Sequence, residues 1–171
     1  MVFEEVKHKG EIMNTDILKL LESDARLTPE QIAVMLACDV EAVKREIAAF
    51  EQDGTILGYK AIVDWEKTDR ESVSAMIEVK LTPQRDSGFD RVAEKIYNYP
   101  EVQSVQLMAG GYDLSVLIEG KTMKEVAYFV AQKLAPIDSV VSTATHFVLR
   151  KYKDNGVIYG GIEEDLRGNE F

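Results

Sequence analysis

The sequence contains few of the residues on which redox and metal chemistry depend. Its 171 residues include one cysteine, Cys38, and two histidines, His8 and His146. A single cysteine cannot form an internal disulfide, and no spacing of histidine and cysteine is typical of a metal site. Cys38 is therefore predicted to be a small buried hydrophobe, and neither a metal nor a cofactor is expected.

Long apolar segments are absent as well. No window approaches the ~20 consecutive apolar residues that cross a membrane, and residues 1–9 carry too many charges for the core of a signal peptide. We therefore expect a cytoplasmic protein. The sequence also has no evident nucleophile-base pair and no glycine-rich phosphate loop, which argues against an enzyme.

The charge is negative and unevenly distributed. The formal net charge is −10, and residues 16–64 hold ten acidic side chains against five basic ones. Residues 65–153 hold twelve of each sign. Because DNA affinity depends on neutralising phosphates, a DNA-binding domain within residues 16–64 must concentrate its cations on one surface, bind weakly, or act as a multimer.

Two short helices joined by a tight turn are predicted early in the chain, after a first helix with an apolar stripe over residues 17–21. The second helix opens with Thr28 as N-cap, Pro29 at the first helical position and Gln31 completing a capping box. Its predicted inward-facing residues are Ile32, Met35 and Leu36. This pattern is typical of the first helix of a helix-turn-helix.

The third helix is predicted to begin after Asp39 and to end near Gly54. Its apolar residues recur at spacings of four and three: Val43, Ile47 and Phe50. Lys44 and Arg45 lie near its start, where a recognition helix meets the major groove. Residues 56–63 are predicted to form the two short strands of a wing.

From Val73 the apolar pattern changes to period two, which indicates a strand. Further strands are predicted at residues 102–108, 114–118 and 139–149, with helices at residues 89–97 and 122–134. The order strand-helix-strand, strand-helix-strand predicts a ferredoxin-like βαββαβ domain with both helices on one sheet face. The fold class is therefore α+β, a winged helix-turn-helix followed by this domain.

The second sheet face is predicted to be bare, and a bare apolar face usually finds a partner. It would present Met76, Leu117, Val141 and Phe147, or their neighbours if the register is shifted by one residue. A dimer or ring would pair two recognition helices. The predicted organisation is an arm (residues 1–13), the winged domain (14–64), a hinge (65–72), the ferredoxin-like domain (73–153) and a tail (154–171).

Several motifs occur together in one order. They are Asp16–Leu21, Ala25–Thr28, Val43–Arg45, Phe50–Ile56 and Gly58-Tyr59 in the first part, and Gly110–Leu114 and Thr143–Leu149 in the second. This ordered set, which covers roughly residues 14–153, resembles the Lrp/AsnC family of bacterial and archaeal transcription regulators. The resemblance implies a head that binds double-stranded DNA as a homodimer, and assembly of dimers into octamers or similar rings. It also implies an amino-acid effector beside the Gly110–Asp113 turn.

Two sets of candidate residues follow from the helix pattern and the resemblance. The predicted DNA-binding residues are Thr28, Val40, Glu41, Ala42, Lys44 and Arg45. The predicted effector-binding residues are Leu107, Ala109, Gly110, Gly111, Tyr112, Asp113 and Thr145. The alternatives are a solvated helix face for the first set, and for the second a simple β-turn in which the glycines supply positive φ and Asp113 hydrogen-bonds locally.

Two other functions compete with a DNA-binding regulator. Glu46, Ala48 and Ala49 stand where the recognition helices of the family frequently carry basic residues. This motivates an amino-acid-binding oligomeric module with weak or no DNA binding of its own. Some relatives of the family decarboxylate a haem precursor with nearby histidines, for which this chain offers only His8 and His146.

Overall fold

The computed structural model describes residues 14–82 and 88–159. These residues form two compact units, the first ending at Ile62 and the second beginning at Val63. Each unit has its own hydrophobic core. The arm predicted at residues 1–13 lies outside the described residues, as does the tail from residue 160 onwards.

Three helices make up the first unit. Helix α1 covers residues 14–23, α2 covers Pro29–Leu36 and α3 covers Val40–Gln52. Their apolar faces meet in one core, because side chains three and four positions apart share one side of a helix. The buried core residues are Ile17, Leu21, Ile32, Ala33, Val43 and Phe50.

Side-chain caps fix where α2 and α3 begin, as predicted. The Thr28 hydroxyl accepts the Gln31 amide at 3.3 Å, and the Gln31 side chain accepts the Thr28 amide at 2.8 Å, which confirms the capping box. A carboxylate oxygen of Asp39 accepts the Ala42 amide at 3.0 Å. These bonds satisfy amides that have no partner within their helix.

The turn between α2 and α3 depends on an alanine in the left-handed region. Ala37 has φ 49° and ψ 48°, and the following amide of Cys38 bonds to the Ala33 carbonyl at 3.0 Å. This geometry ends many helices, usually with glycine, because a Cβ is strained there. Cys38 packs partly against the core, in keeping with its prediction as a small hydrophobe.

Two predictions for the first unit are wrong. Met35 is 56% exposed, because Ala33 rather than Met35 shares the buried side of α2 with Ile32. The wing strands are absent, since residues 56–63 form no strand. Gly54 does end α3, with φ 78°, and the Ile56 amide then bonds to the Phe50 carbonyl at 2.9 Å. The chain after α3 is thus tied to the helix and does not pair with itself.

The second unit is built on a four-stranded antiparallel sheet of order β2-β3-β1-β4. Its strands are β1 (Val73–Leu81), β2 (Val102–Leu107), β3 (Leu114–Gly120) and β4 (Val140–Phe147). Helix α4 (Gly88–Tyr97) connects β1 to β2, and α5 (Met123–Phe129) follows β3 and continues as a π-helical turn at Val130–Leu134. This order confirms the ferredoxin-like prediction.

Both helices pack on the same face of the sheet. The alternate residues of β1 and β3 that point to this face are fully or almost fully buried, because a strand sends every second side chain to one side. The core residues are Ala75, Ile77, Val79, Leu81, Val92, Ile96, Leu114, Val116, Ile118, Val126, Phe129 and Leu134. Tyr97, the last residue of α4, is not part of this core and is 56% exposed.

The opposite sheet face is less apolar than predicted. Register places Met76 opposite Leu117 on β3 and opposite His146 on β4. Phe147 instead pairs with Ala75 and packs against the core, so its predicted place on the bare face is wrong. Its neighbour His146 takes that place and lies 3.3 Å from a carboxylate oxygen of Glu78.

Two short elements flank the sheet. Trp65–Lys67 forms a 3-10 turn before β1, and the Arg70 guanidinium lies 4.4 Å from the centre of the Trp65 ring. Strands β5 (Lys153–Asp154) and β6 (Val157–Ile158) form a hairpin. No helix among the described residues is long and apolar enough to cross a membrane.

Candidate functional site

Helix α3 presents one exposed face. Val43 is fully buried and Phe50 is nearly so, which fixes the rotation of the helix about its axis. The opposite side therefore carries Glu41, Lys44 and Arg45, all of which are exposed. Glu41 lies one helical turn before Lys44 and Arg45, so these three members of the predicted DNA-binding set share one surface of the helix, as a groove-facing surface requires.

The other predicted DNA-binding residues have structural roles. The Thr28 hydroxyl accepts a hydrogen bond as the N-cap of α2. Val40 packs partly against the core, and the Ala42 amide donates to Asp39. Thr28 thus positions the start of α2, while Val40 and Ala42 lie at the start of α3. The exposed side chains of the predicted set are those of Thr28, Glu41, Lys44 and Arg45, and the last three lie on α3.

Lys44 is already engaged by two carboxylates. Its ammonium lies 2.9 Å from Glu41 and 3.5 Å from Glu30 of α2. The hydrogen bond with Glu41, followed by the charge of that residue, raises the pKa of Lys44. Lys44 therefore stays protonated, but its charge is offset locally. Arg45 has no ion pair with a described residue, and it is the freer cation.

Glu30 is a neighbour of Lys44 that the sequence analysis missed. It stands fourteen positions before Lys44, and only the packing of α2 on α3 brings the two together. A contact between residues this far apart in the chain has no signature in a short window of sequence. Charge counting had indicated that the segment is acidic, without indicating which acids lie beside the cations.

The loop before β3 is anchored by Asp113. Its amide donates to the Val79 carbonyl at 3.0 Å, and its carboxylate accepts the Leu81 amide at 2.7 Å. The Met108 amide closes the loop by donating to the Asp113 carbonyl at 2.8 Å. One carboxylate oxygen of Asp113 thus holds the loop to β1, which is the local role weighed as the alternative to effector contact.

The two glycines of this loop are open to solvent and unstrained. Gly110 and Gly111 are not among the described residues with positive φ, so that part of the β-turn alternative is wrong. A Cβ built on either one would meet nothing within 4 Å. Leu107 is 63% exposed, Ala109 is exposed and Tyr112 is half-buried. The predicted effector residues from 107 to 113 therefore form one accessible segment.

Thr145 is not brought to that segment. It lies on β4 and pairs with Ile77 of β1, while the loop leads into β3 on the other side of β1. One strand therefore separates Thr145 from the loop within this unit.

Among the described residues, no group of three or more aspartate, glutamate, histidine or cysteine side chains is arranged to hold a metal ion.

A short helix pair with an exposed second helix, followed by a ferredoxin-like unit with an accessible glycine loop, defines a helix-turn-helix regulator with a ligand-binding domain. Residues 74–158 match the Lrp/AsnC ligand binding domain. The chain is 49% identical over 154 residues to the uncharacterized HTH-type transcriptional regulator YugG of Bacillus subtilis, covering 90% of this chain and 93% of that protein. The chain therefore belongs to the Lrp/AsnC family of transcriptional regulators.

Solved structures agree on the fold. AsnC of E. coli is 19% identical with a TM-score of 0.64, covering 81% of this chain and 91% of that one. A transcriptional regulator of Neisseria meningitidis, solved as a complex with L-Met, is 24% identical with a TM-score of 0.68, covering 83% and 91%. The family and its relatives are named as transcriptional regulators and not as enzymes, which argues against decarboxylation of a haem precursor.

Proposed function

We propose that this protein is a sequence-specific DNA-binding regulator that inserts α3 into the major groove and responds to an amino acid. The observation that carries the proposal is the exposed α3 face with Lys44 and Arg45 on a well-capped helix pair. A symmetric dimer would set two such helices on successive turns of one duplex face. Such a regulator acts in the cytoplasm, where the chromosome of a bacterium or archaeon lies.

The effector is proposed to bind at the loop formed by residues 107–113. Support comes from its exposure and from the two glycines whose backbone no side chain covers. Bare amides can donate to a carboxylate. Asp113 has its second carboxylate oxygen left for an ammonium, since the first accepts the Leu81 amide. The structure solved with L-Met makes an amino acid the first ligand class to try.

Assembly into dimers and rings is proposed to use apolar side chains beyond the sheet as well as the open face. Leu149 is 89% exposed and Ile158 is 75% exposed. Leu149 lies two residues after β4, and Ile158 lies in β6 of the hairpin that follows. Apolar side chains exposed to this degree within one short segment mark an interaction surface.

The second candidate is an amino-acid-binding module that does not bind DNA unaided. The specific observation in its favour is that Glu30 and Glu41 offset the charge of Lys44, in a segment with twice as many acidic as basic residues. Such a module would act through a partner subunit. It would share the loop and the oligomer with the first proposal and differ only at α3.

A gel-shift with the promoter region of the protein's own gene separates the two candidates. The duplex is titrated with the full chain at low salt, with and without each of a panel of amino acids. We expect a shift whose midpoint or stoichiometry changes with one class of amino acid. No shift under any condition, with amino-acid binding intact by calorimetry, supports the module.

A further inference from the structure

A cavity lies within the ferredoxin-like unit, at the end of the sheet away from the glycine loop. It has a volume of about 500 Å³ and lies between the start of β1, the end of β3 and helix α5. Strand β3 runs from the loop at Leu114 to the cavity at Gly120. Seven residues of strand span roughly 20 Å, so a small ligand cannot touch both places at once.

The walls of this cavity combine an apolar base with charges of both signs. Ile118, Val126 and Phe129 of the core form its buried base. The exposed lining residues include Pro100, Tyr128 and Gln132. The acidic lining residues are Glu71, Glu101, Glu119 and Glu125, and the basic ones are Arg70, Lys121 and Lys133. With four acids against three bases, the cavity carries a net charge of −1 and favours a ligand with one positive group.

Two of the three cations are already paired. Arg70 lies 3.0 Å from Glu119, and Lys133 forms an ion pair with Oε1 of Glu101. Lys133 also lies 5.0 Å from the centre of the Tyr99 ring. Lys121 forms no ion pair with a described residue, although its amide donates to Glu125. The Lys121 ammonium is therefore available to pair with an anionic group of a ligand.

Glu101 leaves one acceptor unsatisfied. Its Oε2 is buried and has no hydrogen-bond partner among the described residues. The hydrogen bond from Lys133 lowers the pKa of Glu101, so the carboxyl is ionised at neutral pH. A buried carboxylate oxygen without a donor is costly, and native structures rarely keep one. A ligand that brings an N–H donor would satisfy it.

We propose that this cavity is a second small-molecule site that binds a primary ammonium group carried on an apolar body. The ammonium donates to Oε2 of Glu101, the apolar part lies against Pro100 and the Tyr128 ring, and a carboxylate, where the ligand has one, pairs with Lys121. Both amines and apolar amino acids carry this chemistry. The site is separate from the proposed effector loop and does not depend on it.

Calorimetry on the full chain with three matched probes tests the chemistry. They are L-leucine, 3-methylbutylamine, which lacks the carboxylate, and 4-methylpentanoate, which lacks the ammonium. Leucine and the amine should bind, with leucine the tighter of the two, and both should shift the ring resonances of Tyr128 in NMR spectra. Binding of 4-methylpentanoate with no binding of the amine would overturn the proposal.

Three variants locate the binding. Glu101→Gln should weaken binding of the amine at least tenfold. Gln132 is exposed and lines the cavity, so the larger side chain in Gln132→Trp should block the cavity and abolish binding of the amine. Gly110→Ala with Gly111→Ala, in the proposed effector loop, should leave binding of the amine unchanged. If the amine binds equally well to the Gln132→Trp variant, or shifts only the NMR resonances of residues 107–113, the cavity does not bind the amine. That result would leave the effector proposal standing.

Discussion

At the scale of single residues, ion pairing at Lys44 and Arg45 decides how much positive charge α3 can offer to DNA phosphates. Lys44 is held between Glu30 and Glu41, while Arg45 is free of ion pairs with described residues. Exposed ion pairs contribute little to stability, so this arrangement matters more for binding than for folding. Under the proposed function, we expect both glutamates to lower DNA affinity.

Replacing both glutamates should raise DNA affinity. In Glu30→Gln with Glu41→Gln, Lys44 becomes available to a phosphate, and each neutralised phosphate steepens the slope of log K against log salt by about 0.9. Fluorescence anisotropy with the promoter duplex at several salt concentrations measures both effects. We expect roughly tenfold tighter binding at low salt, about 1.4 kcal/mol.

Glu22→Gln with Glu51→Gln is the control, since it removes the same charge from the same unit without freeing Lys44, and a glutamine can still accept the hydrogen bond from the Tyr59 hydroxyl. A gain in affinity and slope equal to that of the first pair would mean that net charge matters and that release of Lys44 does not.

The left-handed alanine of the turn gives a prediction about stability. Ala37→Gly should stabilise the first unit by roughly 0.5–1 kcal/mol, because glycine adopts φ near 49° without the strain of a Cβ. Urea unfolding followed by circular dichroism measures the change. The same substitution at Ala48, inside α3, should instead lower stability by about 1 kcal/mol. If both variants are destabilised alike, Ala37 is not strained.

At the scale of elements, local chemistry explains what could be predicted. Both caps of α2 and α3 depend on contacts three positions apart, and the alternation of β1 follows from the pleat, so each is visible in a short window of sequence. The wing prediction was wrong because residues 56–63 do not pair with each other, and the Ile56 amide bonds to the Phe50 carbonyl instead. Phe147 was placed on the wrong face because a register shift at the Lys80/Leu81 position changes which side chains of β4 face the helices.

The candidate sites were harder to predict than the fold. The glycine loop is recognisable because its residues are consecutive. The contact of Glu30 with Lys44 and the cavity around Glu101 join residues far apart in the chain, which no local pattern reveals. Thr145 was assigned to the loop by resemblance, and only the sheet order puts β1 between them.

The glycine loop can be tested without disturbing the strands. Asp113 is a poor position to substitute, because its carboxylate holds the Leu81 amide. Gly110→Ala with Gly111→Ala adds methyl groups that meet no neighbouring atom, so stability should stay within about 0.5 kcal/mol. We expect the amino-acid effector found in the gel-shift panel to bind at least tenfold more weakly by calorimetry, because the backbone is covered. Unchanged binding would place the effector elsewhere.

At the scale of the whole molecule, assembly is expected to depend on the exposed apolar residues after β4. Leu149→Ser with Ile158→Ser should shift the protein towards smaller species in light scattering coupled to size-exclusion chromatography. Both side chains are largely exposed, so circular dichroism should be unchanged. Tyr97→Ser, at another exposed apolar position outside this segment, is the control. An identical oligomer in all three proteins would remove the hairpin from the interface.

The negative charge of the molecule makes salt dependence the most informative property of its DNA binding. A regulator of net charge −10 must gain its affinity from a few well-placed cations, each of which releases counterions from the duplex. A protein that binds through a single positive surface would therefore lose a measurable part of its salt slope with each cation removed.

The most direct test compares the intact protein with Arg45→Ala on the promoter duplex between 50 and about 200 mM salt. Since a dimer would place two copies of Arg45 on the DNA, the slope of log K against log salt should fall by roughly 1 to 2, with a loss of affinity at every concentration. Arg26→Ala, an exposed arginine before α2, is the control and should change the slope less. An Arg45→Ala variant with the affinity and slope of the intact protein would contradict the assignment of α3 as the recognition helix.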